Sequence, residues 1–278
     1  MSNDDLAEAM IGAPVSKTTE DKAARPASSP KVVLAIDDLW VDGDLGLPAV
    51  KGLTLDVHCG EIVGVAGVSG NGQKELVEAL MGQRERRGVV RVADVDYHGS
   101  RRQIAQLGVY GLPQEPLKNA CVGRMSLAEN LALRNFDRAP LRRGVLLRRK
   151  ALLEQADRLV RQFRVKTPGL DARVSTLSGG NVQRAVLGRE LSEGVNLLIA
   201  SNPTFGLDFM ACEETHRRIV DARNAGAGVL LISEDLDELI SLVDRVVVMS
   251  EGRIVYEVLA GRADKRVIGR TMAGAQAA

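Results

Sequence analysis

The chain has little with which to stack a base, form a disulfide or attract a polyanion. One Trp, three Tyr and four Phe among 278 residues leave few aromatic platforms for single-stranded nucleic acid. The three cysteines, Cys59, Cys121 and Cys212, lie far apart and form no CxxC pair. They read as reduced, small buried residues of a cytoplasmic protein, not as a disulfide framework. Lys and Arg number 37 against 36 Asp and Glu, and a net charge of +1 gives no overall pull on a polyanion. No apolar run reaches the length of a membrane span, and the opening MSNDDLAEAM has neither the basic nor the apolar part of a signal peptide. Membrane association is therefore expected to run through another subunit. With 45% hydrophobic residues, the chain can fill the core of one globular domain, with room for a subdomain.

What the chain does have is glycine, 28 residues in all, and two Gly-rich stretches each open a helical pattern. The first is Gly67-Val68-Ser69-Gly70-Asn71-Gly72-Gln73-Lys74-Glu75. It follows the short apolar run Glu61–Ala66, read as a buried parallel strand, and precedes Leu76/Leu80 and Val77/Met81, each pair one turn apart. Strand, Gly-rich loop and helix are the context of a phosphate-binding loop, and the glycines match G-x-x-G-x-G. A working loop of that kind continues with Lys, for the terminal phosphates, and then Ser or Thr, for Mg²⁺. This chain has Gln73 and Lys74 there. Lys74 is one residue late, about 100° round the helix, and does not substitute. The backbone nest can still hold phosphate, or the stretch is a strand-to-helix turn with no ligand.

The second stretch is Leu177-Ser178-Gly179-Gly180-Asn181-Val182-Gln183-Arg184, a loop opening into a helix whose Val182, Val186, Leu187 and Leu191 follow a helical period. Unpaired N–H groups and the positive end of the dipole suit an anion there, and glycines let it approach closely. Read locally, it is equally a Ser-capped helix after a Gly turn.

Between and around these, Val32–Leu39 and Leu53–Val57 read as strands of an antiparallel edge sheet, separated by the turn Asp42–Gly46. Gly108–Leu112 is a short strand ending at Pro113-Gln114-Glu115-Pro116, and Val195–Ala200 is another, running into Ser201-Asn202-Pro203-Thr204-Phe205-Gly206-Leu207-Asp208. A helix over about Met210–Ala225 and the strand Val229–Ser233 follow, then a hairpin of Val246–Met249 and Arg253–Tyr256 about Glu251-Gly252. Residues 125–176 read mainly as helix. From Arg134 to Lys166 eleven Lys and Arg face three acids, with Leu152, Ala156, Leu159, Val160 and Phe163 as the apolar face. The basic face is a solvated surface, a surface near anionic lipid headgroups or, without interleaved aromatics, a weaker nucleic-acid candidate. Residues 1–30 have a linker composition and are expected to be disordered. Glu8-Ala9-Met10-Ile11-Gly12-Ala13 echoes Arg270-Thr271-Met272-Ala273-Gly274-Ala275, as if a similar domain came before.

From Val32 to about Ala275 the sequence resembles an ATP-binding cassette (ABC) ATPase, with the landmarks in the family's order. LSGGN and Gln183 resemble its signature motif, Gln114 its Q-loop, the strand before Asn202 its Walker B segment and Asp208 its D-loop carboxylate. The resemblance implies an α/β P-loop NTPase fold with a mainly parallel core sheet, an antiparallel edge sheet and a helical subdomain near residues 116–176. It also implies ATP and Mg²⁺ as ligands. GVAGVSGNGQKEL, LSGGNVQRAVLGREL, LLIASNPTFGLD and LLISEDLDELISLVDRVVVMSEGRIV are most similar to the second cassette of tandem importer ATPases for simple sugars or nucleosides. In that branch the second cassette keeps the signature and lacks catalytic residues.

Here Gln73 replaces the family's Lys, Ser201-Asn202 its Asp-Glu and Glu234 its γ-phosphate-sensing His. Neither Ser nor Asn carries the missing charge, and Glu234 would repel phosphate. The implied division of labour is that Gly67, Ser69, Gly70, Asn71, Gly72, Gln73 and Lys74 at most hold nucleotide. Leu177, Ser178, Gly179, Gly180, Asn181 and Gln183 would close over ATP held by a partner cassette. The implied partners are that cassette, membrane permease subunits and, indirectly, an extracytoplasmic solute-binding protein, with the chain peripheral on the cytoplasmic face and no nucleic acid bound. The alternatives are a soluble ABC protein acting on nucleic acid or ribosomes, and a dimer partner that binds no nucleotide. Trp40 falls slightly early for the family's adenine-stacking aromatic and suits core or edge packing equally.

Overall fold

The computed structural model describes residues 22–23, 31–192 and 194–274. Strands β1 (Val32–Asp42) and β2 (Pro48–His58) pair antiparallel, as the sequence suggests. Next come β3 (Ile62–Ala66), buried at every residue, and α1 (Gln73–Leu80). Strands β4 (Arg87–Val92) and β5 (Val95–Asp96) complete a four-stranded antiparallel sheet of order β2-β1-β4-β5. Helix α2 (Arg101–Gln106), β6 (Val109–Leu112), α3 (Pro116–Asn119) and α4 (Leu127–Ala132) follow, the last held by a capping box between Ser126 and Glu129. A small hairpin, β7 (Arg142–Arg143) and β8 (Leu146–Leu147), leads into α5 (Arg149–Gln162). The remainder is α6 (Gly179–Glu190), β9 (Leu197–Ser201), α7 (Phe209–Asn224), β10 (Gly228–Ile232), α8 (Leu236–Leu242), β11 (Arg245–Ser250), β12 (Arg253–Leu259) and α9 (Lys265–Met272).

The six-stranded core sheet has the order β12-β11-β3-β10-β9-β6 and is parallel except for β12. Its strands are near-continuous apolar runs because both faces are covered. Alternate residues supply two separate cores. Ile62, Leu198, Ala200, Val229, Leu231, Val246 and Val248 join the helices on one side. Val63, Val65, Leu197, Ile199, Leu230, Ile232, Val247 and Met249 meet α1 and the antiparallel sheet on the other. Gly64 admits α8 at close range, since a Cβ there would lie 2.6 Å from Val243 and 2.9 Å from Leu239.

One expectation is modified. Residues 125–176 are helical at α4 and α5, but between them Pro140 and Gly144 (φ 61°) favour a hairpin with Arg142 opposite Leu147 and Arg143 opposite Leu146. Beyond α5 the chain is irregular up to a short 3₁₀ turn at Val174–Thr176. Of residues 1–30, only Lys22 and Ala23 are among the described residues, and both are held. Lys22 Nζ donates to the Val243 carbonyl at 2.8 Å, and the Ala23 N–H donates to Asn224 Oδ1 at 3.0 Å. The echo at residues 8–13 lies outside the described residues.

Candidate functional site

Parallel strands deliver their carboxyl ends to one edge of the sheet, where ligands of open α/β folds bind. Val65, Ile232 and Ser201 are level in β3, β10 and β9, and Leu112 of β6 is opposite Ala200. The loops at 67–72, 113–115, 202–208 and 233–235 therefore leave from the same edge.

The Gly67–Lys74 loop has the backbone that its glycines allow, with Gly70 and Gly72 at φ 90° and 100°. The space beside Gly67 is taken by the chain itself, while Gly70 has nothing within 4 Å. Gln73 is buried, and its Nε2 donates to the Val68 carbonyl at 3.3 Å. A Cβ on Gly67 would lie 2.1 Å from that Nε2, so Gly67 is what lets the amide fold back. Lys74 turns away. It is exposed and reaches Asp44 at 3.2 Å and Glu78 at 3.8 Å, and its hydrogen bond to Asp44 raises its pKa. Asn71 fixes the loop to the β11–β12 turn, where the Glu251 N–H donates to its Oδ1 and the Gly252 N–H to its carbonyl. Ser69 is exposed.

Asn202 is a bridge. Its Nδ2 donates to Gln114 Oε1 at 3.3 Å, and its Oδ1 accepts from the Glu234 N–H at 3.0 Å. One neutral side chain thus ties the ends of β6, β9 and β10 together. The Glu234 side chain is exposed. Among the described residues, no group of three or more His, Cys, Asp or Glu is arranged to hold a metal ion. Gln73 and Asn202 are neutral, and the Lys74 ammonium is engaged with Asp44.

The second stretch is open. Ser178 is the N-cap of α6 and makes no side-chain cap. Its Oγ instead accepts from Asn181 Nδ2 at 2.8 Å, while Asn181 Oδ1 accepts from the Lys166 N–H. Nothing lies within 4 Å of where a Gly179 Cβ would sit, whereas Gly180 faces Asp208 Oδ2 at 3.8 Å. Leu177 is half-buried against the helical core. Buried Gln183 donates to the Pro203 carbonyl at 2.8 Å, which couples α6 to the turn after β9. Asp208 caps α7 by accepting from the Ala211 N–H. Exposed Phe205, Phe209 and Met210 flank it.

Sequence reasoning missed Glu238. Buried at the start of α8, it accepts from Thr204 Oγ1 at 2.5 Å and Ser233 Oγ at 2.5 Å, with His216 Nε2 at 2.8 Å. Burial alone would raise its pKa, but hydrogen bonds from His216, Ser233 and Thr204 prevail and hold it below its ordinary value. Of the four polar side chains joined here, Ser233 and Glu238 are buried and Thr204 and His216 half-buried, and nothing in their sequence spacing joins them. Trp40 is an edge-packing residue here. Its Nε1 donates to Asp38 Oδ1, and Arg87 and Arg253 lie 6.0 and 5.8 Å from the ring.

Residues 50–205 match the family model described as ABC transporter. The chain is 38% identical over 275 residues to the guanosine import ATP-binding protein NupO of Bacillus subtilis, covering 98% of this chain and 53% of that protein. It is 39% identical over 275 residues to the nucleoside import ATP-binding protein NupA of Lactococcus lactis, at 98% and 54%. With the ribose import ATP-binding protein RbsA 1 of Rubrobacter xylanophilus it shares 37% over 279 residues, at 99% and 54%. The chain thus spans about half the length of the curated relatives it matches. Among solved structures, the dimeric cassette MJ0796 in its post-hydrolysis state with ADP and Pi superposes with a TM-score of 0.69 over 83% of this chain and 100% of that one, at 17% identity. This last likeness is one of fold. Motif order, sheet topology and these relatives together make the chain a member of the ABC transporter family, an ATP-binding protein resembling the import ATPases for nucleosides and sugars.

Proposed function

We propose that this chain is the non-hydrolysing cassette of an importer for nucleosides or simple sugars, and that it completes the ATP site of a catalytically intact partner cassette. The observation that carries the reading is the contrast between its two glycine loops: in one, Gln73 stands where a lysine would and folds back beside Gly67, and in the other Ser178 and Gly179 stay exposed with nothing folded over them. Helix-start N–H groups of α6 and the Ser178 hydroxyl would hold and align the partner's terminal phosphate. Asp208 and the exposed Phe205, Phe209 and Met210 beside them would form part of the contact between cassettes. ATP and Mg²⁺ belong mainly to that shared site. Permease subunits and a solute-binding protein complete the transporter, with this chain on the cytoplasmic face of the membrane. The test is ATP turnover by the purified chain alone and after assembly with an intact cassette. The chain alone should show none. Turnover by the chain alone at the rate of an intact cassette overturns the reading.

For its own loop, Gln73 favours a second reading, in which the loop binds no nucleotide and is structural. Equilibrium binding of labelled ATP to the isolated chain decides between a silent site and a holding site.

A further inference from the structure

The hairpin between α4 and α5 is the most exposed apolar and cationic segment of the described chain. Every residue from Arg142 to Lys150 is exposed, with Val145 at 90%, Leu146 at 71% and Leu147 at 51%. The same nine residues hold Arg142, Arg143, Arg148, Arg149 and Lys150, and no acid occurs from Arg138 to Leu153. Asp171 and Glu154 reach Arg149 and Lys150 only at 3.6 and 3.9 Å across solvent. Among the described residues Arg143 and Arg148 have no ion pair, and the Arg142 guanidinium bonds only the Gly144 carbonyl.

Local structure does not explain this composition. Arg148, Arg149 and Lys150 occupy the N-cap and first turn of α5, where the helix dipole disfavours cations, and there is no acid in that turn. The hairpin is nevertheless firmly based. Leu141 at its foot is fully buried, and the Arg148 N–H donates to the Leu141 carbonyl at 2.7 Å. A fixed stalk thus presents a tip of three aliphatic side chains ringed by cations.

We propose that this hairpin contacts the membrane directly, with Val145, Leu146 and Leu147 entering the headgroup–acyl boundary of an anionic bilayer and the surrounding Arg and Lys binding lipid phosphates. Two features favour lipid over a protein groove or a nucleic acid. Each cross-strand pair places one Arg beside one Leu, Arg142 with Leu147 and Arg143 with Leu146. Successive pairs point to opposite faces, so neither face is the apolar one that a groove would bury, whereas a tip-first ribbon uses both. The tip itself carries aliphatic groups, which suit acyl chains and give a base nothing to stack on. The contact is independent of how ATP is shared, and it revises the expectation that membrane association runs wholly through another subunit.

The test uses the full chain with vesicles of phosphatidylcholine alone and of phosphatidylcholine mixed with phosphatidylglycerol. Binding should require the anionic lipid and weaken with salt. Arg142→Gln, Arg143→Gln and Arg148→Gln together should weaken it about a hundredfold, at roughly fivefold per cation. Leu146→Ser with Leu147→Ser should weaken it by about tenfold. Since Trp40 is the single Trp, a Trp40→Phe, Leu146→Trp variant reports the tip alone, and its emission should shift to the blue on anionic vesicles. The hairpin positions are exposed and Trp40 is half-buried, and circular dichroism checks that the variants fold. Absence of vesicle binding overturns the proposal. So does binding that survives the Ser pair with no emission shift, which would mean surface charge without insertion. Loss of RNA binding in the Arg variants, with vesicles ignored, would assign the hairpin to nucleic acid instead.

Discussion

Residues 67–74 and residues 177–183 begin alike, each with glycines, a small hydroxyl residue and the amino end of a helix. They end in opposite conditions. In the first, Gln73 bends back through the space left by Gly67 and donates to the loop's own Val68 carbonyl. In the second, Asn181 bonds Ser178 at the side and Lys166 behind, and Gly179 stays uncovered. A helix start becomes an anion site when its N–H groups are left without an internal competitor. No side chain caps the helix-start N–H groups of either stretch, and the Gln73 amide bonds a carbonyl, so what separates the two is the space that Gln73 takes beside Gly67.

The largest test of the contrast is a pair of substitutions in the assembled transporter. In the proposed arrangement Gly179→Asp sets a carboxylate against the partner's phosphate, and it should cut ATP turnover by at least about a hundredfold, the scale of losing a positioned charge stabiliser. Gln73→Ala should change turnover by no more than about twofold. Complex formation is measured separately. A silent Gly179→Asp beside a dead Gln73→Ala would mean that the roles of the two loops are reversed.

The next effect is on stability and reaches the signature side through its support. Glu238 holds Thr204, next to Pro203, whose carbonyl receives Gln183 of α6. Glu238→Gln keeps one acceptor oxygen and forfeits the charge-assisted bonds, a loss of about 2 kcal/mol. The folded-state pKa of Glu238 lies below its ordinary 4.5. Its contribution is therefore fully present above pH 4.5 and is lost as pH falls through the lower folded value. Urea unfolding should show wild type and variant well separated near neutral pH and converging in acid. A separation that does not depend on pH would show that the carboxylate charge is not what matters.

Much of this was legible in the sequence, and the rest has identifiable reasons. The apolar runs of β3, β9 and β10 are visible because both faces are buried, and motif order then sets the site edge. The Gly67–Gln73 fold-back is not visible, since a replaced Lys says what is missing and not where the new side chain goes. Asn202 reads as a lost carboxylate, but its bridge between Gln114 and Glu234 joins loops 88 and 32 residues away in sequence. The β7–β8 hairpin escaped because two-residue strands have no periodicity, and only Pro140 and Gly144 marked it.

A smaller effect sharpens the obstruction itself. Gln73→Lys removes the amide and restores a cation able to reach terminal phosphates, so the chain alone should bind labelled ATP about tenfold more tightly, one charge-assisted hydrogen bond's worth. Turnover should stay absent, because Ser201, Asn202 and Glu234 still lack the required groups. Equal ATP affinity in wild type and variant would show that the amide does not obstruct the loop.

The smallest expected effect belongs to Lys74, the one cation beside that loop in sequence. It lies one position past Gln73 on α1, and a single step turns it about 100° round the helix. Its ammonium accordingly meets Asp44 and Glu78 on the outer surface, with the side chain 62% exposed. Exposed pairs of this kind contribute little, because water screens them and ordering the long side chain costs entropy. Arg84 already pairs with both acids, at 2.6 and 2.7 Å, so they keep a cation when Lys74 is removed. Lys74→Ala should therefore leave the urea midpoint, ATP affinity and turnover of the assembled complex unchanged within error. A clear fall in ATP affinity would mean that Lys74 swings inward to replace the missing lysine, and the two glycine loops would then differ less than their resting geometry indicates.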